Sequence, residues 1–308
     1  MTTATTLSGV IPPVCTPLTP EYEVDTASLT RLVDHLLDGG VDGLFVLGSS
    51  SEVAFLTDGH RKVVLDTVLG HVAGRVPVLA GVIDMTTPRV LDHVRVAVEA
   101  GADALVATAP FYTRTHPAEI ALHFRMIAEA GLPLYAYDLP ASVHSKLEAD
   151  LVLELAAEGA LAGLKDSSGN DAALREVILG RRDRGLPSFS VLTGSELTVD
   201  SALAMGADGV VPGLGNVDPH GYVRLYRAAS AGDWAAARTE QERLFRLFGL
   251  VNAGGPHMGR GSSALGAFKA ALHLRGVIDH PTTALPQIPL GDEEIAVVGK
   301  YLAEAALL

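Results

Sequence analysis

Three junctions in this chain use one five-residue device. Gly40-Val41-Asp42-Gly43-Leu44, Gly101-Ala102-Asp103-Ala104-Leu105 and Gly206-Ala207-Asp208-Gly209-Val210 each join a helix-ending glycine, a short turn and the start of an apolar run. A second device, a glycine followed closely by proline, stands before other apolar runs at Gly74/Pro77, Gly131/Pro133 and Gly185/Pro187. Glycine supplies a left-handed helix cap, and proline keeps the helix from continuing. Such punctuation marks helix-to-strand junctions, and its repetition constrains the fold more than any single motif.

Between the junctions, short apolar runs alternate with helical patterns. The predicted strands are Val10–Val14, Gly43–Leu47, Val78–Ile83, Ala104–Ala107, Leu134–Tyr137, Leu161–Lys165, Ser190–Thr193 and Gly209–Val211. The predicted helices between them are Ser28–Asp38, His60–Val72, Arg89–Ala100, Ala118–Ala130, Ala149–Ala157, Ala172–Arg182 and Leu197–Met205. Alternation of this kind implies βα units and a parallel sheet. Eight strands at about 28-residue spacing match a (β/α)8 TIM barrel. An open doubly wound sheet usually carries a glycine-rich phosphate loop after its first strand, and Cys15–Pro20 stands there instead. Beyond the eighth strand come helical patterns at Pro219–Ala231, Trp234–Leu250, Ala264–Arg275 and Asp292–Ala305. The first completes the barrel, and the others form a C-terminal three-helix appendage. The expected organisation is a flexible N-terminus over 1–8, the barrel over 9–232, and a helical region packed on it over 233–308. Gly254–Gly261 is read as a connector, because no Gly-Lys-Ser/Thr follows its glycines.

Composition narrows the function classes. Of 308 residues 48% are hydrophobic, a globular profile, and the net charge of −13 argues against nucleic acid or an anionic membrane as partner. An anionic substrate must therefore find a locally positive site. Cys15 is the sole cysteine, which excludes an intrachain disulfide and suits a reducing compartment. The polar stretch Met1–Ser8 lacks the basic and apolar regions of a signal peptide, and no apolar run reaches membrane-spanning length. A cytoplasmic location is expected.

In a barrel of this kind chemistry sits at the C-terminal ends of the strands. There Lys165 closes the apolar run Leu161-Ala162-Gly163-Leu164. A buried ammonium is costly, so a lysine held there tends to lose its proton and become a nucleophile able to form a Schiff base with a carbonyl. The bland alternative is a lysine snorkelling to water. Asp138, Asp166 and Glu196 follow consecutive strands, a placement that can hold a divalent metal. Alternation opposes it: if Tyr137 and Lys165 point into the mouth, Asp138 and Asp166 point away and brace loops. No metal and no cofactor is expected.

Gly48-Ser49-Ser50-Ser51-Glu52, Tyr137-Asp138-Leu139-Pro140 and Gly163-Leu164-Lys165-Asp166-Ser167-Ser168-Gly169, in this order and spacing, resemble the dihydrodipicolinate synthase / N-acetylneuraminate lyase family. The resemblance spans essentially the whole chain. It implies a class I aldolase or lyase that forms a Schiff base with pyruvate or another 2-oxo acid, assembled as a homotetramer built from tight dimers. It further implies that Lys165 attacks the 2-oxo group and that Tyr137 is the acid–base group. Ser49 and Ser50 would hold the pyruvate carboxylate through backbone N–H groups and hydroxyls, and Ser50 would relay protons to Tyr137. Tyr112 would reach a neighbouring subunit's site, the alternative being a packed loop aromatic. Gly194 and the Val211 carbonyl would line the pocket floor.

Departures from the family pattern bear on substrate. Ser51 replaces a glycine, which would tighten a turn that needs conformational freedom, and Asp138 replaces an asparagine. Dihydrodipicolinate synthases place an arginine where Ser142 stands, and one hydroxyl does not replace a bidentate guanidinium. Ser142, His144 and Ser145 suit hydroxyl groups better than a second carboxylate. Glu196 falls where sialic acid lyases bind a polyol chain, or else it faces solvent at the start of the following helix. The favoured reading is a pyruvate-dependent lyase acting on a hydroxylated 2-oxo acid, such as a 2-keto-3-deoxy sugar acid, to give pyruvate and an aldehyde. The alternatives are 4-hydroxy-tetrahydrodipicolinate synthase, condensing pyruvate with aspartate semialdehyde, a keto-deoxy sugar acid dehydratase, or a catalytically silent 2-oxo acid sensor.

Overall fold

The computed structural model describes residues 7–308; most of the expected N-terminal segment 1–8 lies outside them. Eight parallel strands make the barrel wall: β1 (Gly9–Val10), β2 (Leu44–Val46), β3 (Val78–Gly81), β4 (Ala104–Thr108), β5 (Leu134–Asp138), β6 (Gly163–Asp166), β7 (Ser190–Thr193) and β8 (Gly209–Val210). Their ladder runs β1-β8-β7-β6-β5-β4-β3-β2. Backbone bonds from Val14 N to the Phe45 carbonyl, 2.8 Å, and from Phe45 N to the Pro12 carbonyl, 3.0 Å, join the first and second strands and close the ring. The fold is the (β/α)8 barrel that the punctuation predicts.

Helices α1 (Thr26–Asp38), α2 (Asp58–Val72), α3 (Thr87–Ala100), α4 (Pro117–Ala128), α5 (Pro140–Val143), α6 (Ala149–Ala157), α7 (Asp171–Asp183), α8 (Val199–Met205) and α9 (Pro219–Ser230) connect the strands and flank the wall. Helices α10 (Trp234–Phe248), α11 (Arg260–Leu274) and α12 (Asp292–Glu304) follow. The strands are buried along their whole length, which is why they appear in the sequence as continuous apolar runs.

The repeated junction has a structural purpose in all three copies. Gly40, Gly101 and Gly206 take the left-handed backbone, at φ of 78°, 85° and 107°. The aspartate two residues later accepts a backbone N–H from the first or second residue of a neighbouring strand: Asp42 from Val10 at 2.8 Å, Asp103 from Val78 at 2.8 Å, and Asp208 from Val191 at 2.7 Å. One side chain thus ends a helix-to-strand turn and satisfies an otherwise orphaned strand terminus.

Most elements shift by a residue or two at their ends, and three departures have a physical reason. The first strand is shorter than Val10–Val14, because Pro12 and Pro13 have no N–H to give a ladder. Helix α11 begins at Arg260 rather than Ala264, so the connector read over Gly254–Gly261 ends in helix. Gly261 costs a helix only about 1 kcal/mol, and no proline stops it there. The short helix α5, opened by Pro140 and ended by His144 at a left-handed φ of 58°, carries too few residues for a periodic signal.

Candidate active site

Lys165 and Tyr137 are opposite one another on adjacent strands, β6 and β5, so period-two alternation sends both side chains to the same face. Both are buried, at 5% and 3% exposure. The Lys165 Nζ stands 3.8 Å from the centroid of the Tyr137 ring and 4.9 Å from that of Phe45 on β2. Tyr137 and Phe45 meet edge to face at 6.3 Å. Two ring faces therefore receive the ammonium and offset part of its lost hydration. Phe45 carried no signal in the sequence beyond its apolar strand, yet it forms the underside of the site.

The Tyr137 hydroxyl lies 3.3 Å from Ser49 Oγ. Burial pushes this phenol up, but the Lys165 charge and hydrogen bonds with Ser49, Lys165 and Ser167 outweigh burial and hold it below its ordinary value. Ser167 was not singled out in the sequence. Its Oγ occupies the space beside Gly194, where an added Cβ would come within 1.9 Å of it. Gly194 thus lets a third hydroxyl enter the site.

The serine loop differs from expectation in two respects. Ser49, not Ser50, reaches Tyr137. The Ser50 hydroxyl turns toward Gly213, where an added Cβ would stand 3.1 Å from it and 2.8 Å from Glu196 Oε1. In this structure the hydroxyl beside the Tyr137 phenol is therefore that of Ser49, because successive loop residues face different ways. Nor does Ser51 strain the turn. The left-handed residues are Leu47 and Glu52, at φ of 58° and 60°. Ser51 is fully buried, with its Oγ donating to the Val14 carbonyl at 2.5 Å and accepting from Gly48 N at 3.2 Å. Its hydroxyl replaces conformational freedom with two hydrogen bonds.

The carboxylates after the strands divide as alternation requires. Asp138 pairs with Lys146 and accepts from Leu147 N at 3.1 Å, bracing the loop that carries Ser142 and His144. Burial nonetheless raises its carboxyl above the usual range. Asp166 accepts from Ser168 N at 2.7 Å. Glu196 is half-buried and does not float at a helix start, since α8 begins only at Val199. It accepts from Leu214 N at 2.8 Å, and burial pushes its carboxyl up to about 7 against the pull of that bond, Lys165 and Gly213 N. Among the described residues no cluster of three or more His, Cys, Asp or Glu side chains could hold a metal.

Val211 continues the wall beyond β8, its N–H donating to the Thr193 carbonyl at 2.8 Å. Ser142, His144 and Tyr112 are exposed. Tyr112, 88% exposed at a left-handed φ of 77°, lines a cleft of about 570 Å³ with Arg114, His144, Ser145 and Lys146. Lys165, Tyr137 and Ser49 do not line this cleft.

The model of the dihydrodipicolinate synthetase family matches residues 6–305. This chain belongs to the dihydrodipicolinate synthetase family. As a member it is a lyase of the class I aldolase type. It is 32% identical to an uncharacterized DapA-like lyase of Halobacterium salinarum over 303 residues, 98% of this chain and 95% of that one. It is 30% identical to a 4-hydroxy-tetrahydrodipicolinate synthase of Methanosphaerula palustris, across 96% of this chain and 98% of the relative. Among solved structures it resembles YagE, a prophage protein of the family from E. coli K12 in complex with pyruvate. The TM-score is 0.91 at 30% identity, over 98% and 99% of the two chains. No helix is long and apolar enough to cross a membrane among the described residues.

Proposed function

We propose that this member of the family is a Schiff-base-forming, pyruvate-dependent aldolase or lyase acting on a hydroxylated 2-oxo acid, such as a 2-keto-3-deoxy sugar acid. The observation that carries the proposal is the Lys165 Nζ held against the Tyr137 ring, with the Tyr137 hydroxyl bonded to Ser49. In this reading neutral Lys165 adds to the C2 carbonyl, Tyr137 passes protons to the carbinolamine oxygen, and water leaves to give the iminium. The C3–C4 bond then breaks as the C4 hydroxyl gives up its proton, the aldehyde departs, and the bonding pair enters an enamine. Protonation at C3 and hydrolysis release pyruvate and restore Lys165. Backbone N–H groups at Ser49 and Ser50 are assigned to the substrate carboxylate, a local positive potential within an acidic chain. Gly194 and Val211 are assigned to the floor, and Ser142, His144 and Glu196 to the far end of the substrate.

Ser142 in the arginine position favours hydroxyl recognition. A second reading, condensation of pyruvate with aspartate semialdehyde, draws support from relatives named 4-hydroxy-tetrahydrodipicolinate synthase. In that case Arg114, in the cleft with His144 and Ser145, would take the missing arginine's place. Borohydride reduction in the presence of pyruvate tests the shared step: a stable pyruvyl adduct is expected on the peptide containing Lys165. Pyruvate release from keto-deoxy sugar acids, measured beside condensation with aspartate semialdehyde, separates the two substrates. Turnover of aspartate semialdehyde alone would overturn the first. A homotetramer built from tight dimers, with Tyr112 entering a neighbour's site, belongs to the same proposal, and light scattering in solution tests the assembly.

A further inference from the structure

Glu52 lies two residues beyond Ser50, buried at 1% exposure and held at a left-handed φ of 60°. Residues other than glycine seldom adopt that backbone unless their surroundings impose it. Here the constraint comes from the far end of the chain. Glu52 Oε1 accepts from Ala284 N and from Gln287 Nε2, each at 2.7 Å. Its other oxygen pairs with Lys269 of α11, itself only 1% exposed, whose Nζ also donates to the Thr282 carbonyl at 2.7 Å. The neighbouring Phe268 stands against Gly213, at the same point that Ser50 Oγ approaches. Helix α11 thus holds Glu52 through Lys269, and its Phe268 shares with Ser50 Oγ the space beside Gly213.

A fully buried ion pair is weak evidence for stability, because apolar residues of similar volume commonly serve as well. What such a pair fixes is placement, since each charge tolerates only the geometry that satisfies it. We propose that the Glu52–Lys269 pair positions the Ser49–Ser50 cradle, so that the C-terminal helical region sets the affinity for the substrate carboxylate. This rests on the reading of that cradle as the pyruvate carboxylate site. Glu52 and Lys269 touch no substrate in this scheme; they are positioning residues, acting through the backbone of the loop.

The test uses pyruvate and borohydride on the full-length protein, measuring separately the pyruvate concentration for half-maximal labelling of Lys165 and the labelling rate at saturation. The paired substitution Glu52→Gln/Lys269→Met removes both charges and avoids a lone buried ion. It is expected to raise the half-saturating pyruvate about tenfold or more, as small displacements of positioning groups do, while the saturated rate stays within a few-fold. An unchanged half-saturation with only a lower melting temperature would overturn the proposal, as would loss of the saturated rate alone. Glu52→Asp, which keeps the charge and shortens its reach, is the second variant and covers failure of the pair to fold. Its half-saturation should also rise, and an unchanged value would equally overturn the proposal. Wild-type protein that pyruvate and borohydride do not label would instead defeat the Schiff-base reading itself.

Discussion

The Lys165 ammonium stands 3.8 Å from the centroid of the Tyr137 ring, one strand away and in direct register. The ring and the hydroxyl of Tyr137 therefore have separable duties: the ring shelters the charge, and the hydroxyl meets Ser49. Tyr137→Phe keeps the first and deletes the second. Turnover is expected to fall about 10²–10⁴-fold, the usual worth of a general acid–base group, with thermal unfolding little altered. An unaffected rate would remove the phenol from the proton path.

The two serines of the loop should separate kinetically. Ser49→Ala removes one partner of the Tyr137 hydroxyl and is expected to lower kcat. Ser50 faces Gly213 and Glu196, so Ser50→Ala is expected to raise the KM for the 2-oxo acid more than it lowers kcat. Steady-state kinetics on both variants decide the matter; the reverse pattern would return the relay to Ser50.

Glu196 should make stability depend on pH in the alkaline direction. Its carboxyl lies at about 7 in the folded protein against an ordinary 4.5, with burial as the main cause. A raised folded value means the contribution is fully present below about 4.5 and is lost as pH rises through about 7. Glu196→Gln keeps an acceptor for Leu214 N and cannot ionise. The variant should melt higher than the parent at pH 8–9, as proton linkage requires, with little gain at pH 5. Equal differences at both pH values would show that the carboxyl is ionised throughout.

Ser51→Gly restores the residue the family pattern has at that position, and the structure makes it costly. It leaves the Val14 carbonyl and Gly48 N, joined by this one hydroxyl, without their partner in a fully buried spot. Losing such bonds typically costs about 1–3 kcal/mol. Denaturant unfolding should show a lower midpoint, and an unchanged midpoint would mean that the loop recovers those bonds elsewhere.

The barrel was legible in the sequence because its signals are local. A left-handed glycine, a turn and an apolar run report a helix-to-strand junction whatever lies beyond it, and Gly40, Gly101 and Gly206 take that conformation in the structure. Lys165 and Tyr137 were legible for a related reason. Both close apolar runs, and alternation along each strand orders them relative to Asp166 and Asp138 without any tertiary information. The role of Asp42, Asp103 and Asp208 was hidden, because the N–H groups that donate to them lie 17 to 32 residues away in sequence.

What the sequence by itself determined is therefore the architecture, the strand carrying Lys165 and the phenol facing it. Which serine meets that phenol, and what holds the serine loop, only the tertiary structure decided. The loop has no periodicity to orient its side chains, and its left-handed residue Glu52 is held by Ala284 and Gln287, 232 and 235 residues along the chain. A backbone conformation imposed by partners so distant leaves no local pattern, and Lys269, fully buried within α11, looks in the sequence like any helical lysine until the fold brings Glu52 to it.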